Sequence, residues 1–184
     1  MKKYTIIAGV NGVGKSSFTG VLSELSNDLG QIIDTDSITA KMNGNNIQGG
    51  KEAIKRINNN LNNGISFTQE TTLSGTRTLK TIKRAIEQNY YIRLYYIGVS
   101  SAEESIKRIK NRVEKGGHDI PSEDVQRRYN KRFEDLTAVL PYCNEVHFYD
   151  NENGFTEKAE YKNGELIVKS NVIPKWLDEL KQYL

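Results

Sequence analysis

Ala8-Gly9-Val10-Asn11-Gly12-Val13-Gly14-Lys15-Ser16-Ser17 follows a short apolar run, Tyr4-Thr5-Ile6-Ile7, and opens a stretch in which Phe18, Val21, Leu22 and Leu25 recur at helical spacing. Gly9, Gly14, Lys15 and Ser16 fill every fixed position of the template Gly, four residues, Gly, Lys, Ser or Thr. The glycines permit positive φ and let backbone N–H groups converge on one polyphosphate, while the helix starting near Lys15 aims its positive end at the same place. The stretch therefore reads as a phosphate-binding loop in which Gly9, Asn11, Gly12, Val13, Gly14, Lys15, Ser16 and Ser17 surround a nucleoside triphosphate. Lys15 is placed to reach the β- and γ-phosphates, and the Ser16 hydroxyl to ligand a Mg²⁺ that bridges them.

Strands and helices alternate on either side of the loop. The first helix is expected from about Lys15 to Asp28, and Gln31-Ile32-Ile33 forms a second strand running into Asp34-Thr35-Asp36. An Asn- and Gly-rich segment, Met42 to Gly50, reads as a loop ahead of a helix from about Lys51 to Asn62. A third strand over Ile65–Gln69 ends at Glu70, and a helix from about Thr76 to Asn89 leads to Tyr90–Val99, whose aromatic and β-branched content places it centrally. Ser101 and Glu104 form a capping box for a basic helix. Gly116-Gly117-His118-Asp119-Ile120-Pro121 interrupts it, and a second basic helix follows. The strand Glu145–Tyr149 precedes a hairpin turned by Asn163-Gly164, and a last helix carries Trp176, Leu177 and Leu180 on one face. The pattern predicts an α/β three-layer sandwich of the P-loop NTPase (Rossmann-like) class with a mostly parallel sheet. It is expected to form a single domain over 1–184, with a helical lid at about 103–135 and a C-terminal hairpin plus helix at about 155–184.

Composition excludes several classes. The 184 residues carry 26 basic and 23 acidic side chains, a net charge of +3 that points to neither nucleic acid nor a membrane surface. Only Tyr129 and Phe133 stand among the helical arginines, too few for a row of stacking platforms for a nucleic acid. The apolar run near the N-terminus is too short for a signal peptide, and no run approaches the roughly 20 residues of a membrane span. One cysteine, Cys143, allows no internal disulfide, which fits a cytoplasmic protein, and it reads as a packing residue.

In an open α/β sheet the ligand lies at the carboxyl ends of the strands, where Asp34, Asp36 and Glu70 converge. Phosphoryl transfer needs charge on the γ-phosphate and a group that takes the proton of the attacking hydroxyl. Asp36 is the candidate base. Either Asp34 or Asp36 is left to face the loop or cap the next helix, and Glu70 suits a substrate or Mg²⁺-water contact. Of the lid residues, Arg112 and Arg128 bracket the glycine hinge and are the candidates for closing on the transferred group, while Lys107, Lys110 and Lys131 read as solvated. His118 reads as a hydrogen-bonded loop residue.

These motifs in their order resemble the zeta toxin family of P-loop kinases, and above all its shorter relatives described as ATPases. The resemblance rests on Gly9 to Ser17, on Ile33-Asp34-Thr35-Asp36-Ser37-Ile38, on Phe67 to Gly75, on Asn111 to Pro121 with Arg127-Arg128-Tyr129, and on Phe148-Tyr149-Asp150-Asn151. It implies transfer of the ATP γ-phosphate, with Mg²⁺, to a sugar hydroxyl, UDP-N-acetylglucosamine being the toxins' substrate. It also implies catalytic roles for Lys15, Asp36, Arg112 and Arg128, acceptor contacts from Asp36, Glu70 and Thr72, and a small antitoxin protein as partner. The chain departs from the toxins in carrying Leu73-Ser74-Gly75 where they have a glycine and an arginine. A regulatory or mechanical ATPase is the alternative of another class. A GTPase is disfavoured because no Asn-Lys-x-Asp sequence occurs.

Overall fold

A computed structural model describes residues 1–184. The first half comprises β1 (Lys3–Ala8), α1 (Lys15–Leu25), β2 (Gln31–Ile33), α2 (Thr35–Lys41), α3 (Asn46–Asn63), β3 (Phe67–Thr71), α4 (Arg77–Glu87) and β4 (Tyr91–Gly98). There follow α5 (Ala102–Glu114), α6 (Ser122–Thr137), β5 (Glu145–Asp150), β6 (Thr156–Lys162), β7 (Glu165–Val168) and α7 (Lys175–Leu180). One seven-stranded sheet has the order β2-β3-β1-β4-β5-β6-β7, with β4 at its centre. The first five strands pair in parallel and the last two antiparallel. The α/β sandwich expected from the alternation of elements is the one observed.

β1 is buried on both faces, as a central parallel strand must be. Tyr4, Ile6 and Ala8 enter the larger apolar cluster with Phe67, Ile92, Leu94 and Phe148. Ile7 points the other way, into a small cluster with Val10, Val13, Phe18, Ile97 and Val99. That smaller cluster explains a departure from the helical reading of α1. Phe18 is buried, but Val21 and Leu25 are 42% and 78% exposed, because α1 has only this small apolar patch to cover and Phe18 fills it.

The segment Met42–Gly50 is not a loop throughout. Only the turn around Met42–Asn45 is, and α3 starts at Asn46, where the Asn45 side chain accepts from Gln48 N at 3.0 Å. A Cβ on Gly49 would lie 2.0 Å from Thr39 Oγ1 and 2.8 Å from Thr39 Cα, so the glycine is what lets α2 and α3 cross at contact distance. β3 runs two residues later than expected, ending at Thr71.

The hairpin and last helix are built into the main body. β6 extends the sheet beside β5, and the β6–β7 turn holds Asn163 and Gly164 at φ 54° and 86°, as a type I′ turn requires. Trp176, Leu177 and Leu180 are buried in the large cluster, and Trp176 Nε1 donates to Asp150 Oδ1 at 2.7 Å. Cys143 packs partly buried against the same cluster, and burial pushes its thiol up to about 12. No helix is long and apolar enough to cross a membrane.

Candidate active site

The loop after β1 is wedged between β4 and α5. Gly9, Gly12 and Gly14 have φ of 146°, 83° and 95°, and a Cβ on Gly9 or Gly12 would meet Ile97 O or Ser105 O, each at 2.5 Å. Side chains would therefore force the loop off both neighbours. Val13 is fully buried in the small cluster and its carbonyl accepts from Asn151 Nδ2 at 2.8 Å. Gly9 and Val13 thus shape the loop from beneath, while Asn11, Gly12, Gly14, Lys15, Ser16 and Ser17 line the cleft above it.

Lys15 Nζ donates to the carbonyls of Gly9 and Val10 at 3.0 and 3.1 Å. Burial lowers its pKa, against the opposing pull of Glu70, Asp36 and Asp34. Glu70, at the end of β3, is 8% exposed; its two carboxylate oxygens accept from Ser16 Oγ at 2.8 Å and from Thr19 Oγ1 at 2.6 Å. The parallel register pairs Ile7 with Glu70, which sets the carboxylate beside the first turn of α1. Burial raises the Glu70 pKa, and the two hydroxyl donors pull it back.

Of the two aspartates after β2, Asp34 is the helix cap: its Oδ1 accepts from Asp36 N at 2.9 Å. Asp36 sits in the first turn of α2, exposed, and both side chains line the cleft. From α6, Arg128 Nη1 donates to Asn11 Oδ1 at 2.5 Å, tying that helix to the phosphate loop. Arg112 Nη2 donates to His118 O at 2.6 Å, and a Cβ on Gly117 would lie 2.5 Å from Arg112 Cγ, so this arginine is folded over the hinge. His118 contributes only its carbonyl to that bond. Lys107, Lys110 and Lys131 are exposed.

Several lining residues were not anticipated. Arg108 lies four residues before Arg112, hence on the same face of α5; it donates to Glu104 Oε1 at 2.6 Å and to Asn151 O at 2.7 Å, and it lines the cleft. The helical period carried that signal. Gln69, Arg77 and Lys80 had none beyond proximity to the motifs, nor did Thr19, which bonds Glu70 without lining the cleft. Gln69 bonds the Tyr4 hydroxyl beneath the cleft floor. Thr72 Oγ1 donates to Ser74 Oγ at 3.2 Å in the connection between β3 and α4.

The loop, the strand ends, the β3–α4 connection, α5 and α6 enclose one cleft of about 840 Å³ with a single apolar lining residue, Ile109. It has cations at the phosphate loop, α5 and α6, and acids at Asp34, Asp36 and Glu70. The oxygen donors Ser16 Oγ and the Glu70 carboxylate suit a hard divalent cation such as Mg²⁺.

The zeta toxin family matches residues 52–181, well over half of the chain. An uncharacterised protein of Haemophilus influenzae is 37% identical over 133 residues, covering 69% of this chain and 92% of that protein. Among solved structures, one from the PezAT chromosomal toxin–antitoxin system of Streptococcus pneumoniae superposes with a TM-score of 0.66 at 14% identity, covering 99% of this chain and 84% of that one. The AvrRxo1-ORF1:AvrRxo1-ORF2 structure with ATP gives a TM-score of 0.66 at 15% identity, and the match spans 99% of this chain but only 63% of that protein. At such identities the likeness to the two solved structures is one of fold. The family match covers well over half of a chain that has the P-loop phosphotransferase architecture, and the chain belongs to the zeta toxin family.

Proposed function

We propose that this protein is an ATP-dependent kinase that transfers the γ-phosphate to a hydroxyl of a small-molecule acceptor. The observation that carries the proposal is the two-sided cleft. Lys15, Ser16, Arg112 and Arg128 line the same cleft as Asp36, which comes from a different strand end. A protein that only hydrolysed a nucleotide would not need the second half.

Lys15 and the backbone of Gly12–Ser17 hold the triphosphate, and Arg112 and Arg128 bring positive charge to the transferred group as the lid closes. Asp36 orients the acceptor hydroxyl and takes its proton. Ser16 and Glu70 are the residues that would hold Mg²⁺, which supplies charge neutralisation on the β- and γ-phosphates when bound. ATP as donor is supported by the shared fold with a protein solved with that nucleotide. Thr72 reaches the acceptor from the β3–α4 side. The family resemblance makes nucleotide sugars the first class to assay. It also makes a small antitoxin a candidate partner, as in the PezAT system.

The test is ADP release and phosphorylated product with Mg-ATP and an acceptor panel that includes nucleotide sugars. Acceptor-dependent turnover, lost in Lys15→Ala and Asp36→Asn, is the expected result. A steady ATPase rate that ignores every acceptor would favour the regulatory ATPase instead. Full activity in Asp36→Asn would remove the base from that residue.

A further inference from the structure

The acceptor half of the cleft has a composition of its own. Its far wall is the connection from β3 into α4, where Thr72, Ser74 and Thr76 present hydroxyls and Arg77 and Lys80 present two cations. The other three arginines in the cleft are already engaged: Arg108 with Glu104, Arg112 with the His118 carbonyl and Arg128 with Asn11. Arg77 and Lys80 have no ion-pair or side-chain hydrogen-bond partner, and the first turn of α4 carries no acid to pair with them. Three residues apart on α4, they project from one side of the helix. The cleft as a whole is lined by six cations, Lys15, Arg77, Lys80, Arg108, Arg112 and Arg128, against three carboxylates. Four of the six belong to the phosphate loop and lid, so two remain in excess on the acceptor wall.

No aromatic side chain lines the cleft, and its one apolar residue, Ile109, belongs to α5 on the lid. A nucleobase is ordinarily held by stacking or by an apolar slot, and the acceptor wall has neither. Hydroxyls with fixed cations are instead the complement of a polyol that carries an anion.

We propose that the acceptor is a compact polyhydroxylated molecule bearing a phosphate or carboxylate, with Arg77 and Lys80 binding that anion and so setting specificity. This rests on the kinase reading above and narrows it away from nucleotide sugars. The anchored acceptor presents a hydroxyl to Asp36. The hydroxyl oxygen forms a new bond to the γ-phosphorus, the bond from that phosphorus to the β–γ bridging oxygen breaks, ADP leaves, and the hydroxyl proton passes to the Asp36 carboxylate.

Binding and turnover are measured separately with four pools, hexose phosphates, aldonates, free hexoses and nucleotide sugars. Calorimetry uses protein saturated with Mg²⁺ and a non-hydrolysable ATP analogue; ADP release uses Mg-ATP. The hexose phosphates, the aldonates or both are expected to bind and to turn over in preference to the nucleotide sugars, which are anionic but carry a base, the responding pool telling phosphate from carboxylate. Arg77→Gln and Lys80→Gln, both at exposed helix positions, are expected to raise the acceptor KM about 10- to 100-fold, the scale of one charged hydrogen bond. The ATP KM stays unchanged and circular dichroism confirms the fold. Preference for free hexoses or nucleotide sugars, an acceptor KM indifferent to both substitutions, or no anion-dependent binding in any pool overturns the proposal. Binding of hexose phosphates or aldonates that weakens in the two variants without any transfer would uphold the anion site and count against the kinase reading.

Discussion

Asp36 and Glu70 show how differently two carboxylates on one sheet edge are employed. The Asp36 side chain is exposed and makes no hydrogen bond, so little in the fold depends on it. Asp36→Asn is expected to lower kcat by about 10²- to 10⁴-fold, the range for loss of a general base, with no change in the melting temperature. Glu70 is buried against two hydroxyls, and burial raises its pKa. The ionised form is the one that accepts from Ser16 and Thr19, so Mg²⁺-dependent activity should fall on acidification at a pH above the ordinary glutamate range. The stability effect has the opposite sign: a carboxylate whose pKa is raised on folding costs stability once ionised, and that cost is relieved as the pH falls through the raised value. Glu70→Gln should flatten the acid limb of the activity profile and raise the Mg²⁺ requirement, checked by pH–rate curves at several Mg²⁺ concentrations.

Among elements, the phosphate loop is held by its neighbours as much as by its own glycines. A methyl group at Gly12 would need a left-handed residue other than glycine and would also meet the Ser105 backbone oxygen of α5. A methyl group at Gly116 meets nothing within 4 Å, so there only the backbone conformation is strained. Gly116→Ala should therefore cost about 1–3 kcal/mol. Gly12→Ala should cost more and also weaken ATP binding, because α5 must be displaced; denaturation and nucleotide titration of the pair decide this. Arg128 with Asn11, and Asn151 with the Val13 carbonyl, tie α6 and the end of β5 to the same loop. The position of α6 and the loop geometry are thus linked through these bonds.

At the scale of the molecule, α7 closes the core from the C-terminal side. A Cβ on Gly98 would lie 2.3 Å from the Trp176 ring, so the indole lies flush against the β4 backbone and bonds Asp150 at the end of β5. Trp176→Ala is expected to destabilise by about 3–5 kcal/mol. Trp176→Phe keeps much of the volume but leaves the buried Asp150 oxygen without its donor, for about 1–3 kcal/mol. Chemical denaturation followed by far-ultraviolet circular dichroism measures both. In the parent protein the fluorescence of this one tryptophan should change together with that signal, since β6, β7 and α7 share the sheet and cluster of the rest. A separate transition for the C-terminal segment would show it to be an appendage.

What was legible in the residues alone was what short-range chemistry imposes. A loop that wraps a polyphosphate needs glycines, a lysine and a hydroxyl at set spacing; Ser101 caps α5 through Glu104 N; and Asn163-Gly164 supplies the two positive φ angles of its turn. The alternation of elements then fixes a parallel sheet through chain handedness. Tertiary structure decided whatever depends on strand order and on which helix face meets which neighbour. It set Glu70 against Ser16 and Thr19, because β3 lies beside β1 in a register that pairs Ile7 with Glu70. It left Val21 and Leu25 exposed, because only a six-residue cluster lies beneath α1. It left Arg77 and Lys80 uncommitted on a cleft wall that no local pattern marks. Such pairings join residues dozens of positions apart, and no periodicity or motif along the chain encodes the distance between them.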